Sequence, residues 1–267
     1  MSYSKKFIIL FIAFISMAGT CFQTIAQNKV SVKYLKNIRL DSQASYDFFL
    51  GPDAGDFKTS INGFGSGLLD VFGMRGSFDL ITFGTEKNYL SLGAGFSVLK
   101  YRLANNLIFG KSADDVVTYM IDPDITHNYV NTFFGYGKSK IITTSFYFPV
   151  DLNIALGENV KFTAGGYMDL NLTARYKMKY MVGEDKIKEI IRSDEFRKFN
   201  PSTVKFGVNA TLLLKKLGYG LSASYSLTPF FKPGLGPDIH EARISASYSL
   251  RPWNLPNKKD KGQEASN

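Results

Sequence analysis

Apolar and polar residues alternate strictly along much of this chain. From Val160 the even positions read Val160, Phe162, Ala164, Gly166, Met168, Leu170, Leu172, Ala174 and Tyr176, and the odd ones Lys161, Thr163, Gly165, Tyr167, Asp169, Asn171, Thr173, Arg175 and Lys177. A helix of 3.6 residues per turn would mix the two sets, whereas a strand sends successive side chains to opposite faces. The segment predicts a strand with one apolar face and one polar, charged face. It is longer than the about 5 to 6 residues of a common globular strand and reaches the roughly 9 to 11 that cross a bilayer.

Six further segments read the same way. In 144–154, Phe146, Phe148, Val150, Leu152 and Ile154 oppose Ser145, Tyr147, Asp151 and Asn153, with Pro149 as an awkward member of a central strand. In 204–214, Phe206, Val208, Ala210, Leu212 and Leu214 oppose Lys205, Gly207, Asn209 and Thr211. The segments 72–80, 90–98, 219–227 and 242–250 repeat the pattern, and the last two share the hexapeptide Ser-Ala-Ser-Tyr-Ser-Leu, as neighbouring strands would. An eighth strand is expected at 32–40, where Lys36 interrupts the apolar face, with 45–50 as its rival.

The links at 84–87, 156–159 and 215–218 are short, and those at 41–66, 103–139, 181–200 and 228–239 are long, in strict alternation. The expected fold is therefore all-β, an eight-stranded antiparallel up-and-down transmembrane β-barrel over residues 27–251. Its termini and short turns lie on one side of the membrane and its long loops on the other. A soluble lipocalin-like barrel that turns its apolar faces inward around a ligand is the alternative, since alternation does not label inside and outside. Strand length favours the membrane version, as do aromatics placed towards strand ends like interface girdles: Tyr176, Tyr180, Tyr219, Phe146 and Phe230. In that version Arg75, Asp79, Asp151, Asp169, Arg175, Lys205, Glu241 and Arg243 form a structural charge cluster in the lumen. Such charges must pair, so a filled, salt-bridged interior without an open pore is expected.

Composition narrows the setting. The 267 residues suit one domain, and 15 Tyr and 23 Phe against 9 Pro agree with β structure. No apolar run beyond the first twenty-odd residues approaches the about 20 residues of a membrane helix. Lys5 and Lys6, the apolar run from Phe7 to Ala18 and the small residues Thr24 and Ala26 read as a secretory signal peptide over 1–26, cleaved before Gln27. Thr20 makes a poor lipobox residue before Cys21, so cleavage ranks above lipidation. Cleavage would remove the sole cysteine and leave 30 basic against 23 acidic residues. The excess suits anionic lipid head groups or a solvated surface, with no nucleic acid expected outside the inner membrane.

The run from Ser139 to Tyr180, the hairpin from Lys205 through Tyr225, the closing strand to Leu250 and the Ala26-Gln27 junction together resemble the outer-membrane β-barrel domain proteins, PorT-like in the broad sense, of the Bacteroidetes lineage. The resemblance covers most of the mature chain and rests on patterning. It implies an outer-membrane location, insertion by the barrel-assembly machinery and contact with outer-membrane lipid and lipopolysaccharide. It implies no particular chemistry.

Candidate sites are few. His127 falls in the second long link and His240 at the start of the last strand, where Asp238 and Glu241 are near in sequence. Lipid A acyltransferases and deacylases of eight strands use histidine with serine and an acid, but no motif places a serine here, so no catalytic residue is expected. Asp114, Asp115, Asp122 and Asp124 form an acidic loop whose spacing does not match a calcium loop, and no metal or cofactor is expected. Ile187, Ile190, Ile191 and Phe196 stand at partly helical spacing, fitting an amphipathic helix over the rim as well as a solvated loop. The expected function is that of a non-enzymatic outer-membrane barrel whose outer loops contact lipopolysaccharide or protein partners. A polar tail at 252–267 closes the chain.

Overall fold

The computed structural model describes residues 31–34, 38–41, 45–57, 73–85, 87–103, 107–121, 138–182 and 185–250. Residues 1–26, expected to be a signal peptide, the segment 252–267, His127, Asp122 and Asp124 lie outside the described residues.

Three short strands come first among the described residues, β1 (Ser31–Tyr34), β2 (Ile38–Asp41) and β3 (Ser45–Leu50). The longer β4 (Met74–Gly84) and β5 (Tyr89–Leu103) follow, then a separate hairpin of β6 (Leu107–Lys111) and β7 (Val117–Ile121). The longest strands are β8 (Lys138–Leu156) and β9 (Val160–Val182), extended by β10 (Asp185–Ile191). A one-turn helix α1 (Ser193–Phe196) leads to β11 (Val204–Leu214), β12 (Tyr219–Ser226) and β13 (His240–Leu250).

Every pairing is antiparallel, and the main sheet runs β1-β4-β2-β13-β12-β11-β9-β8-β5, with β4 also paired to β5. Both candidates for the first strand are used: β2 pairs with the end of β13 and β3 with its beginning, as one interrupted strand. The short turns fall where the sequence places them, with Gly157 at φ 74° and Gly218 at φ 72°, left-handed positions that glycine enters without a Cβ clash.

Over the lower part of the sheet, nearest the short turns, the apolar face is the exposed one. Leu221 is 67% exposed and Phe206 47%, and Phe96, Phe146, Leu212 and Ile244 stand out with them. The opposite face is buried and polar, carrying Ser97, Asp151, Thr163, Asp169, Lys205, Thr211 and Ser245.

Nearer the long links the buried face becomes apolar. Where β8 passes from Thr144 to Ser145, β9 passes from Thr173 to Asn171, so Leu172 is an extra residue. Such a bulge reverses the facing of everything beyond it. Ala174, Tyr176 and Met178 turn inward, and Arg175 is exposed. The expectation that Arg175 belongs to the interior charge cluster is corrected by this one-residue insertion. The sequence alternates without a break through Leu172, so the pattern carries no mark of the reversal. A second shift in β4, between Asp79 and Ile81, leaves Asp79 half-buried at the point of change and turns Thr82 inward.

The apolar cluster at this end joins Phe49, Leu99, Tyr101 and Ile141 of the sheet to Phe57, Leu107, Phe109, Val117, Phe196, Phe230, Phe231 and Ile239 from the long links. Tyr176 and Phe230 belong to this core and are not surface girdle residues, whereas Phe146 and Tyr219 are exposed. The segment whose spacing fits an amphipathic helix is mostly the strand β10, because β9 overruns its other neighbours and offers it a free edge. Ile187 and Ile191, four apart, share a face in a strand as they nearly do in a helix, so their spacing is ambiguous.

Candidate functional site

The polar face gathers charges from five strands. Arg75 on β4 donates from Nη2 to Asp169 Oδ2 on β9 at 3.0 Å, and its guanidinium lies 4.2 Å from the ring centre of Tyr147 and 4.7 Å from that of Tyr167. Its Nη1 also reaches Ser224 Oγ at 3.4 Å. Lys205 on β11 forms an ion pair with Glu241 on β13, and the Tyr101 hydroxyl on β5 donates to the other oxygen of that carboxylate at 2.6 Å. Arg243 on β13 donates from Nε to Asp47 Oδ1 on β3 at 2.8 Å, and Asp47 Oδ2 accepts from the backbone of Lys100 at 3.2 Å. Lys205 is 0% exposed and Asp169 1%.

Of the residues singled out from the sequence, Arg75, Asp169, Lys205, Glu241 and Arg243 come together. Asp151 sits lower on the same face, held by Asn209, whose Nδ2 donates to its Oδ1 at 3.0 Å. Asp79 lines a cavity of about 20 Å³ with Asn153, Lys161, Thr163 and Thr211, room for a single water. Asp47, Tyr101, Tyr147 and Tyr167 join the network without having been singled out from the sequence. Asp47 is legible from its place on the rival first strand. Parity puts Tyr147 and Tyr167 on the polar face without marking their hydroxyls as members of the network, and Tyr101 lies beyond the segment 90–98 read as a strand.

Three cations stand against three carboxylates: Glu241 also accepts from Tyr101 and Asp47 from the Lys100 backbone, whereas Asp169 Oδ1 is buried without a hydrogen-bond partner. The Tyr167 ring fills the space above Gly207, its direct partner across the ladder, where an added Cβ would lie 2.2 Å from the tyrosine Cζ. This arrangement holds strands together across the polar face. Replacing exposed Arg175 with alanine is expected to change stability by less than about 0.5 kcal/mol in urea unfolding, as surface substitutions do.

His240 is buried beside Tyr225, their ring centres 5.6 Å apart. Its Nδ1 lies 2.9 Å from the backbone oxygen of Ser226 and its Nε2 3.1 Å from Asp238 Oδ1. The Ser226 hydroxyl donates to the Thr228 carbonyl at 2.8 Å and does not meet the imidazole. The histidine thus ties β13 to the link before it.

Asp114 and Asp115 sit in the β6–β7 turn, where Asp115 pairs with Lys111 and accepts from Asn200 Nδ2 at 3.2 Å. The Lys111 hydrogen bond, helped by Asn200, holds the Asp115 carboxyl below its ordinary value of 3.8. A depressed folded value means that these contacts stabilise fully above the ordinary carboxylate range and fail as pH falls through the lower value. Amide exchange in β6 and β7 is expected to accelerate only in that acid range, and the step should disappear in Asp115→Asn.

No protein-family model and no curated protein sequence matches the chain. Among solved structures it is similar to Neisserial surface protein A (NspA) at 7% identity and a TM-score of 0.32, over 84% of this chain and 99% of that one.

Proposed function

We propose that the chain is a non-enzymatic outer-membrane β-barrel protein whose lumen is filled by its own side chains. The observation that carries the reading is the disposition of faces: large apolar residues exposed around the lower sheet, charges buried behind them. A soluble lipocalin-like barrel requires the reverse. In water the exposed band would be an aggregation surface, and in a bilayer it is solvated by hydrocarbon. The 11 residues each of β4, β11 and β13 rise to about 26 Å when tilted by about 45°, close to the roughly 25 Å apolar band of such barrels.

Eight staves follow if β1, β2 and β3 count as one interrupted strand and β10 as an extension of β9, and closure is supported by β4 pairing on one side with β1 and β2 and on the other with β5. Ion pairs between strands distant in the sheet, such as Arg75 with Asp169, support it too. In this reading the chain is PorT-like in the broad sense, its leader peptide is removed before Gln27 and the barrel-assembly machinery inserts it. Fractionation should place the protein in the outer membrane with Gln27 at its N-terminus, and recovery as a soluble periplasmic protein would overturn the proposal.

The filled lumen has its own test. Purified protein in planar bilayers is expected to give no reproducible conductance steps, because the buried ion pairs of Arg75, Lys205 and Arg243 occupy the inner face. The bonding of His240 to a backbone carbonyl and to Asp238 supports the non-enzymatic reading, and turnover of labelled lipid A that His240→Ala abolishes would refute it.

A further inference from the structure

Above the apolar band, one flank of the sheet turns basic. On β9 the exposed face passes from Met168 and Leu170 to Thr173, Arg175, Lys177 and Lys179, and the ladder sets Lys188 of β10 opposite Lys179. Glu189 of β10 is paired with Met178 and so belongs to the other face. Where β10 ends and β11 has not begun, a cavity of about 270 Å³ opens beside the Leu172 bulge, lined by Thr173, Thr203, Arg197 and Lys232 among others. Arg197 is fixed there, its Nη2 donating to the Leu172 carbonyl at 2.6 Å. The upper end of β12, by contrast, carries Ser224, Tyr225 and Ser226 and not a single cation.

Lys179 and Lys188 stand directly opposite one another across the ladder, which concentrates positive charge on this face. Arginine and lysine beside hydroxyl donors are the chemistry that holds phosphate. The height is informative as well. A group at this cavity stands where the exposed residues change from apolar to charged, so an occupant fitting both surfaces has acyl chains below and phosphate above.

We infer that this flank, comprising Arg175, Lys177, Lys179, Lys188 and the cavity walled by Arg197 and Lys232, is a docking site for the phosphorylated headgroup of an outer-leaflet glycolipid. The inference rests on the membrane reading and adds to it a partner and a place. One glycolipid is held on one side, its chains against Met168 and Leu170 and its phosphates among the cations.

The test uses the purified full chain in phosphatidylcholine vesicles doped with bisphosphorylated lipid A, with dephosphorylated lipid A, or with phosphatidylglycerol at matched charge. Retention of each lipid through detergent extraction is read by native mass spectrometry. Wild type is expected to retain bisphosphorylated lipid A at least about tenfold more than the other two. The variant Arg175→Gln/Lys177→Gln/Arg197→Gln/Lys232→Gln should lose that preference, while Lys216→Gln at the short-turn end keeps it. Equal retention of phosphatidylglycerol, or an undiminished preference in the quadruple variant, overturns the site and leaves the barrel standing. A chain that stays soluble without detergent overturns both. Unchanged heat-resistant β-sheet circular dichroism in the quadruple variant excludes misfolding as the cause of any loss.

Discussion

Lys205→Met is expected to destabilise the protein by about 3 to 5 kcal/mol, a large share of the about 5 to 15 kcal/mol that separates most folded domains from their unfolded chains. Lys205 is fully buried, and its ammonium is paired with Glu241, whose second oxygen accepts from Tyr101. Removing the cation leaves a buried carboxylate with one neutral donor, and Asp169 and Asp47 nearby offer only repulsion. The lysine pairs with nothing when the chain is unfolded, so the cost falls on the native state. Urea unfolding in lipid vesicles measures it, with Lys216→Met at an exposed turn as the control. The double variant Lys205→Met/Glu241→Gln should recover much of the loss, because the glutamine carbonyl still accepts from Tyr101 and no net charge remains. A single variant within about 0.5 kcal/mol of wild type would mean that water reaches this pair, and the filled lumen would have to be abandoned.

This pair is legible in the sequence, since parity alone puts Lys205 and Glu241 on the polar face of their strands. Parity works where the interior is polar and the exterior apolar. It fails for Arg175 because the interior changes character along its own axis. Above the bulge at Leu172 the inner face is built of Tyr176, Met178 and Phe109, and the residues that had pointed outward now point in. A bulge inserted at that level lets one uninterrupted alternation in sequence serve two opposite environments, which is why periodicity does not locate it.

The long links mislead for a related reason. Their charges, such as Asp114, Asp115, Lys188 and Arg192, catch the eye as solvated loop, while Leu107, Phe109 and Val117 are too few and too short-ranged to announce a core. Only when Phe57, Phe196, Phe230 and Phe231 arrive from other links does each find a partner, and no local pattern can forecast that convergence. The His240 contacts belong with these: Asp238 is its near neighbour in sequence, but the capture of Nδ1 by the Ser226 carbonyl depends on the path of the whole link.

Phe109→Ala should have the largest effect of any change outside the charge network, about 3 to 5 kcal/mol by analogy with other buried aromatic truncations. Among the described residues the β6–β7 hairpin shares no strand pairing with the main sheet, so beyond one backbone bond, from the Val117 N–H to the Leu235 carbonyl at 2.9 Å, its attachment depends largely on side chains. Phe109 makes the densest of these contacts, with ring centres 5.1 Å from Tyr176, 5.7 Å from Phe196, 5.7 Å from Phe199 and 6.3 Å from Phe231. Alanine would leave a cavity that the sheet, fixed on its other face, is unable to close. An isolated two-stranded hairpin is marginal in water, and without this anchor it should detach as a unit. Hydrogen exchange is therefore expected to show lost protection in β6, β7 and the link around Phe231, with amides of β8, β9, β11 and β13 below the bulge unchanged. Loss spread evenly over those long strands would instead make the aromatic cap and the charged interior one cooperative unit, and the division of the molecule at Leu172 would be wrong.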